Sequence, residues 1–221
     1  MNTSSETHPL LYAKGITHNF DYPLFEGIDL ALYPAQSIAI IGASGTGKST
    51  LLNIFSTLLR PDKGEVYYNN KEIFSISDDE QLQIRRDDFG IIFQFHYLFR
   101  GFSAQENLQI SEFLCNSSID KELLGKLKID HVLQQNIGSL SGGQQQRLSC
   151  ARVLTKNPKV IFADEPTGNL DHQTANELME TLFSYIKLHS AGMIIVTHEE
   201  DIAFSCDHVY RLNELKLEKL K

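Results

Sequence analysis

The chain is 221 residues long, 42 % hydrophobic and 22 % charged, with a net charge of −8; that mixture is globular, and the length suffices for one large core with a small insertion. No apolar stretch nears the roughly 18 residues that a membrane span requires, so any membrane role needs a separate partner. The acidic balance, without a long Lys/Arg run, argues against nucleic acid as the main ligand.

In chain order, the opening stretch from Met1 to Pro9 is polar and lacks the basic and apolar regions of a secretory signal, so the cytoplasm is the expected place. Ser37-Ile38-Ala39-Ile40-Ile41 is a short apolar run that reads as a buried strand. It feeds directly into Gly42-Ala43-Ser44-Gly45-Thr46-Gly47-Lys48-Ser49, which fits G-x-x-x-x-G-K-[ST]. A helix carrying Leu51, Leu52, Ile54, Phe55, Leu58 and Leu59 follows, with Pro61 expected to stop it. Strand, glycine-rich turn and helix are the setting in which backbone N–H groups converge on phosphates at a helix N-terminus. Gly45 and Gly47 permit the backbone angles and the close approach. Lys48 is expected to reach the β- and γ-phosphates, and the Ser49 hydroxyl to ligate Mg²⁺.

Val66 to Tyr68, Gly90 to Phe93, Val160 to Ala163, Met193 to Val196 and Val209 to Leu212 read as further strands. From Ala175 onward, Leu178, Met179, Leu182, Phe183 and Ile186 follow helical spacing. Alternating strands and helices predict an α/β sheet with helices on its faces. Between His96 and Ser139 the texture changes: Asp120 and Asp130 read as N-caps, the first ahead of Leu123, Leu124 and Leu127, the second ahead of Val132 and Leu133. With no repeat or linker, the expectation is one domain, its core at 1–95 and 141–221 and a small helical subdomain at about 96–140. Asp164 closes the Val160 strand at the edge where open α/β sheets bind nucleotides. It is expected to hold Mg²⁺ through water, since that ion keeps several waters. Cys115, Cys150 and Cys206 fit neither a zinc site nor a disulfide framework and are expected as reduced, mostly buried thiols.

The Gly42 loop, Leu140-Ser141-Gly142-Gly143-Gln144 and the Asp164-Glu165 strand end, in this order and spacing, resemble the nucleotide-binding domain of ABC-type ATPases. The resemblance covers nearly the whole chain and implies ATP and Mg²⁺ as ligands, with Gly42 to Thr50 around the phosphates. It also implies that Glu165 polarises the attacking water and that His198 contacts the γ-phosphate. Gln94 matches the loop glutamine that touches Mg²⁺ and that water, and links the nucleotide to the helical subdomain. Phe20 stands where the family places an aromatic on the adenine, usually Tyr; stacking needs only the ring. Tyr12 and Tyr22 compete for that role, and a plain place in a strand core is the alternative for Phe20. Ser141, Gly142, Gly143 and Gln144 open a helix and offer a second anion site. In the family this site faces the nucleotide held by another subunit, so a homodimer is implied. Gly168-Asn169-Leu170-Asp171 matches the loop that crosses that interface, and Asp171 also reads as an N-cap.

Two longer stretches, Glu165 to Asp171 and Phe93-Gln94-Phe95-His96-Tyr97-Leu98 leading to Glu106-Asn107-Leu108, resemble one group within the family. That group contains lipoprotein-releasing, macrolide-exporting and division-site ATPases, and the lipoprotein-releasing form is the nearest. The helical segment is shorter than in that form, which bears on the choice of membrane partner. The resemblance implies a peripheral subunit on the cytoplasmic face of the inner membrane. There it would work with integral membrane permease subunits to release lipoproteins towards the outer membrane. Regulation of cell-wall hydrolysis, or export, is the alternative.

Overall fold

In a computed structural model the described residues are 8–221; the start of the polar opening stretch lies outside them. The fold is the expected α/β class, built on two sheets. One is antiparallel, in the order β2 (Pro23–Leu32), β1 (Leu11–Asn19), β4 (Lys63–Tyr68) and β5 (Lys71–Glu72). The other runs β10 (Lys216–Lys219), β9 (His208–Asn213), β3 (Ser37–Ile41), β8 (Gly192–Val196), β7 (Val160–Asp164) and β6 (Phe89–Ile92). All its pairings are parallel except the terminal hairpin of β9 and β10.

Strands buried on both faces read as unbroken apolar runs, and period-two geometry divides their side chains between two cores. Ile38, Ile40, Val160, Phe162, Ile194 and Val196 point into the space shared with the antiparallel sheet. There α1 (Lys48–Phe55) lies between the sheets through Leu51, Leu52, Ile54 and Phe55. Ala39, Ile41, Ile161, Ala163, Met193 and Ile195 point the other way, against α5 (Gly142–Leu154) and α6 (His172–His189). The second core continues without a break into α3 (Ala104–Cys115) and α4 (Lys121–Lys126), through Leu108, Leu124 and Leu127. The remaining helices are α2 (Asp78–Asp87) and α7 (Glu200–Ser205). No helix among the described residues is long and apolar enough to cross a membrane.

Three local expectations need correction. The helix after the glycine-rich loop ends at Phe55, well short of Pro61. Thr57 turns left-handed, and the Leu58 and Leu59 amides both donate to the Asn53 carbonyl, which closes the helix end as αL caps do. Arg85 of α2 holds the turn by donating to the Thr57 carbonyl and hydroxyl. Asp120 does cap α4, accepting from the Glu122 amide at 2.8 Å, but Asp130 is the first residue of a 3₁₀ turn, Asp130–Val132, that follows Ile129. Phe93 lies just beyond β6 instead of inside it. Of the three cysteines, all free, Cys150 and Cys206 are buried and Cys115 is partly exposed. Burial pushes the Cys150 and Cys206 thiols up to about 12.

Gly90 lets β6 approach α5: a Cβ there would stand 2.6 Å from Val153 Cγ1 and 2.9 Å from Pro158 Cγ. Gly90→Ala is expected to destabilise the chain by about 1–3 kcal/mol through overpacking, lowering the thermal midpoint by about 2–4 °C per kcal/mol. Urea unfolding measures it, and an unchanged midpoint would mean that strand and helix part without cost.

Candidate nucleotide site

The site lies along the edge where the parallel strands end. β3 runs out at Ile41 between β8 and β9, and after six intervening residues the chain starts α1. Two glycines make that turn possible. A Cβ on Gly42 would stand 2.7 Å from the Leu212 carbonyl oxygen, and Gly47 takes φ 95° while a Cβ on it would press on Leu24 and Phe25 at 3.2–3.3 Å. Left-handed backbone and close approach are what glycine supplies.

α1 starts unlike the other long helices. Its N-cap is Gly47, with no capping side chain and no acidic residue in the first turn. By contrast, Ser77, Ser103, Ser141 and Asp171 cap α2, α3, α5 and α6. The first amides of a helix have no intrahelical acceptor and carry the positive end of the dipole. On α1 they stay open, with a lysine among them. Lys48 is almost fully buried, and its ammonium donates to the Gly42 and Ala43 carbonyls at 2.9 and 2.8 Å. A cation at this helix end is unfavourable unless an anion joins it.

Asp164 ends β7 opposite the start of α1, and its Oδ1 accepts from the Ser49 hydroxyl at 3.0 Å. Burial raises the Asp164 carboxyl above its ordinary value, the Ser49 hydrogen bond opposes that shift, and the charge of Glu165 adds to it. Two oxygen ligands facing one another fit a hard divalent cation such as Mg²⁺. Glu165 takes a left-handed backbone, φ 47°, with its amide donating to the Val196 carbonyl at 2.9 Å. A non-glycine residue in this region is uncommon and marks a position fixed by its surroundings. The turn brings the Glu165 carboxylate to His198, whose Nδ1 stands 2.9 Å from Oε1. The His198 side chain is 69 % exposed and that of Glu165 only 13 %.

Phe20 is 60 % exposed, on the turn between β1 and β2, so it is no strand-core residue. It borders a hollow of 220 Å³ with Tyr22, Lys48, Ser49 and Thr50. Tyr22 therefore shares the rim, whereas Tyr12 stacks on Tyr67 along the antiparallel sheet. Ala43 and Thr46 hold the loop by a hydroxyl-to-carbonyl bond of 2.9 Å, and Ser44 and Gly45 are exposed at its tip. Gln94 is exposed two residues beyond β6, on the same sheet edge, with no hydrogen bond among the described residues. Ser141, Gly142, Gly143 and Gln144 stand elsewhere, and no hydrogen bond or ion pair among the described residues joins them to the Gly42–Ser49 loop. Ser141 and Gln144 form a reciprocal capping box. Gly143 packs against Leu170 of the loop that ends in Asp171. Asp171 caps α6 through Thr174, whose hydrogen bonds hold its carboxyl below the ordinary value.

One contact between the loops of the site carries no signal in the sequence. Thr167 is buried and donates to Glu199 Oε1 at 2.5 Å, tying the loop after β7 to the loop after β8. A threonine and a glutamate 32 residues apart carry no local signal of that pairing.

Residues 25–168 match the ABC transporter family, ABC_tran. The chain belongs to this family. A lipoprotein-releasing system ATP-binding protein LolD from Geobacter metallireducens is 40 % identical over 195 residues, 86 % of this chain and 87 % of its own. The macrolide export ATP-binding/permease protein MacB of Wolinella succinogenes is 37 % identical over 219 residues, and the chain spans only 33 % of its length. These relatives fit the chain into the LolD and MacB group of the family. Among solved structures, the dimer of MJ0796, a bacterial ABC transporter cassette, superposes with a TM-score of 0.85 at 31 % identity, covering 96 % of this chain and 99 % of that one. A post-hydrolysis MJ0796 dimer bound to ADP and Pi gives 0.84 at 31 % identity, with the same coverage. As an ABC cassette, the chain is an ATPase.

The Glu165 hydrogen bond raises the His198 pKa above 6.5, with the Glu165 charge adding to it. The contact thus stabilises the fold fully below the unfolded value near 6.5 and is lost as pH rises through the folded value. Water screens so exposed a pair, so the effect on stability is small. In an NMR titration the His198 ring is expected to titrate above 6.5 and to move down in Glu165→Gln; an unmoved midpoint would deny the coupling.

Proposed function

We propose that this chain is the ATP-hydrolysing subunit of a lipoprotein-releasing ABC complex, peripheral to the cytoplasmic face of the inner membrane. The observation that carries the hydrolytic roles is the end of β7, which sets Asp164 against Ser49 and Glu165 against His198 on one edge. Relatives named LolD at 35–40 % identity along most of the chain support the substrate class. A macrolide-export role is the second reading, on the strength of the Wolinella relative.

In this reading the phosphates of ATP take the open amides of α1, and Lys48 turns from the Gly42 and Ala43 carbonyls to the β- and γ-oxygens. Gly42, Ala43, Ser44, Gly45, Thr46 and Gly47 supply the cradle, with Thr50 beside it and Phe20 under the adenine. Ser49, Asp164 and Gln94 would hold Mg²⁺, which when bound neutralises phosphate charge. Glu165 accepts the proton of the attacking water, and His198 contacts the γ-phosphate.

Ser141 to Gln144 completes the site of a second copy, with Asp171 at the interface, so the working unit is a homodimer. The helical subdomain at about 96–140 and the Gln94 loop carry the motion to permease subunits. Phe95, Tyr97, Phe99 and Phe113 are 71, 63, 48 and 89 % exposed there, aromatic side chains available to such a partner.

Lys48→Ala is expected to lower ATP hydrolysis by the assembled complex about 100-fold or more, since a charge-stabilising donor is lost; near wild-type turnover would overturn the role. Glu165→Gln is expected to keep ATP binding, slow hydrolysis about 10²–10⁴-fold and accumulate as a dimer with ATP on a sizing column. Co-purifying that variant from its own membranes tests the substrate class. A permease whose complex, reconstituted with the unsubstituted chain, releases lipoproteins supports the first reading, and one that exports macrolides supports the second.

A further inference from the structure

We propose that His18 is a positioning residue for nucleobase recognition: wedged behind Phe20, it fixes the ring that stacks on the purine. The inference rests on the reading of Phe20 as the base platform. Phe20 stands exposed on a turn closed by its own amide donating to the Tyr22 carbonyl at 3.1 Å. An exposed ring must lose rotamer freedom to stack on a ligand, and a fixed ring has less to lose.

His18 supplies that support. Ile16 and His18 share the inward face of β1, and His18 is only 5 % exposed. Its ring meets Phe20 edge to face, with centroids 5.0 Å apart and planes at 86°. Behind it lies the fully buried Phe25, 6.3 Å away and tilted by 30°. Phe25 in turn lies beside the Gly47 backbone, so the stack runs from the platform back to the start of α1.

Among the described residues, neither imidazole nitrogen of His18 has a hydrogen-bond partner. The nearest carboxylate oxygen, Asp62 Oδ2, is 3.6 Å from Nδ1 and accepts instead from the Asn19 amide and side chain at 2.7 and 3.1 Å. Burying polar atoms without partners is costly, so hydrogen bonding does not account for the ring. Its contribution is an aromatic ring of fixed orientation against Phe20, while Asp62 clamps the residue between His18 and Phe20. The hollow that Phe20 and Tyr22 share with Lys48 to Thr50 connects the Phe20 ring to the first turn of α1.

The test is equilibrium binding of MgATP and of magnesium tripolyphosphate, which has no base, to the full chain. His18→Ala is expected to weaken ATP about 2- to 10-fold, the span of an edge-to-face ring pair, and to leave tripolyphosphate unchanged. His18→Phe, which keeps an aromatic ring against Phe20, is expected to restore ATP affinity. Should His18→Ala fail to fold, His18→Leu fills the space without a ring and is judged by the same outcomes. Equal weakening of both ligands would reduce His18 to a structural residue and overturn the proposal. Phe20→Ala separates the two levels. If it weakens ATP and the His18 variants do not, positioning fails alone; if it leaves ATP unchanged, the platform reading fails and the proposal with it.

Discussion

The uncapped start of α1 is the constraint on which the site depends. A helix of eight residues cannot hold itself in water, and this one survives because Leu51, Leu52, Ile54 and Phe55 are buried between two sheets. That burial fixes the direction of its axis, and β3, covered on both faces, fixes the point from which it departs. The first turn is therefore held still with its amides unsatisfied and a lysine folded over the loop carbonyls. Packing energy from elsewhere maintains an arrangement that is locally unfavourable, and an anion is what resolves it.

The second half of the site follows from strand register. Ala163 pairs with Ile92 on one side and Ile195 on the other, so Asp164, Thr197 and the residues after Ile92 emerge on one edge. Asp164 and Glu165 are adjacent in sequence, yet the left-handed turn at Glu165 separates their tasks. The first faces Ser49 and α1, and the second faces His198 beyond β8. Directed apart, each carboxylate finds its own partner, although the Glu165 charge still adds to the upward shift of Asp164. The Thr167–Glu199 bond keeps the two loops that bear Glu165 and His198 in register.

How much of this was legible depends on the range of the signal. The buried strands announced themselves as apolar runs, and the phosphate loop by its spacing. Elements with one wet face did not. β1 shows no clean alternation in the sequence because bulges near Gly15 and Thr17 break it. α2 buries no residue, so hydrophobic periodicity had nothing to report. Both α2 and α3 nevertheless carry a reciprocal capping box, Ser77 with Glu80 and Ser103 with Glu106, a local signal that the sequence does contain. At the site, Phe20 could be placed by its position, but its support by His18 and Asp62 could not, because Asp62 comes from a loop 43 residues beyond Asn19, which it holds.

The two candidate anion-binding helix starts differ in a way that bears on their use. On α5 the capping box satisfies the Gln144 amide and the Ser141 amide. What remains open are the amides of Gly142 and Gly143, the first with nothing within 4 Å of where its Cβ would be. Such a start is stable alone and presents a bare backbone outward. The start of α1 is instead enclosed, with Lys48 inside it. In the proposed head-to-tail dimer one end would hold an anion and the other would be brought against it, so that each end meets its complement. That asymmetry makes association part of the chemistry in the proposed dimer, because each site draws its last donors from the other chain.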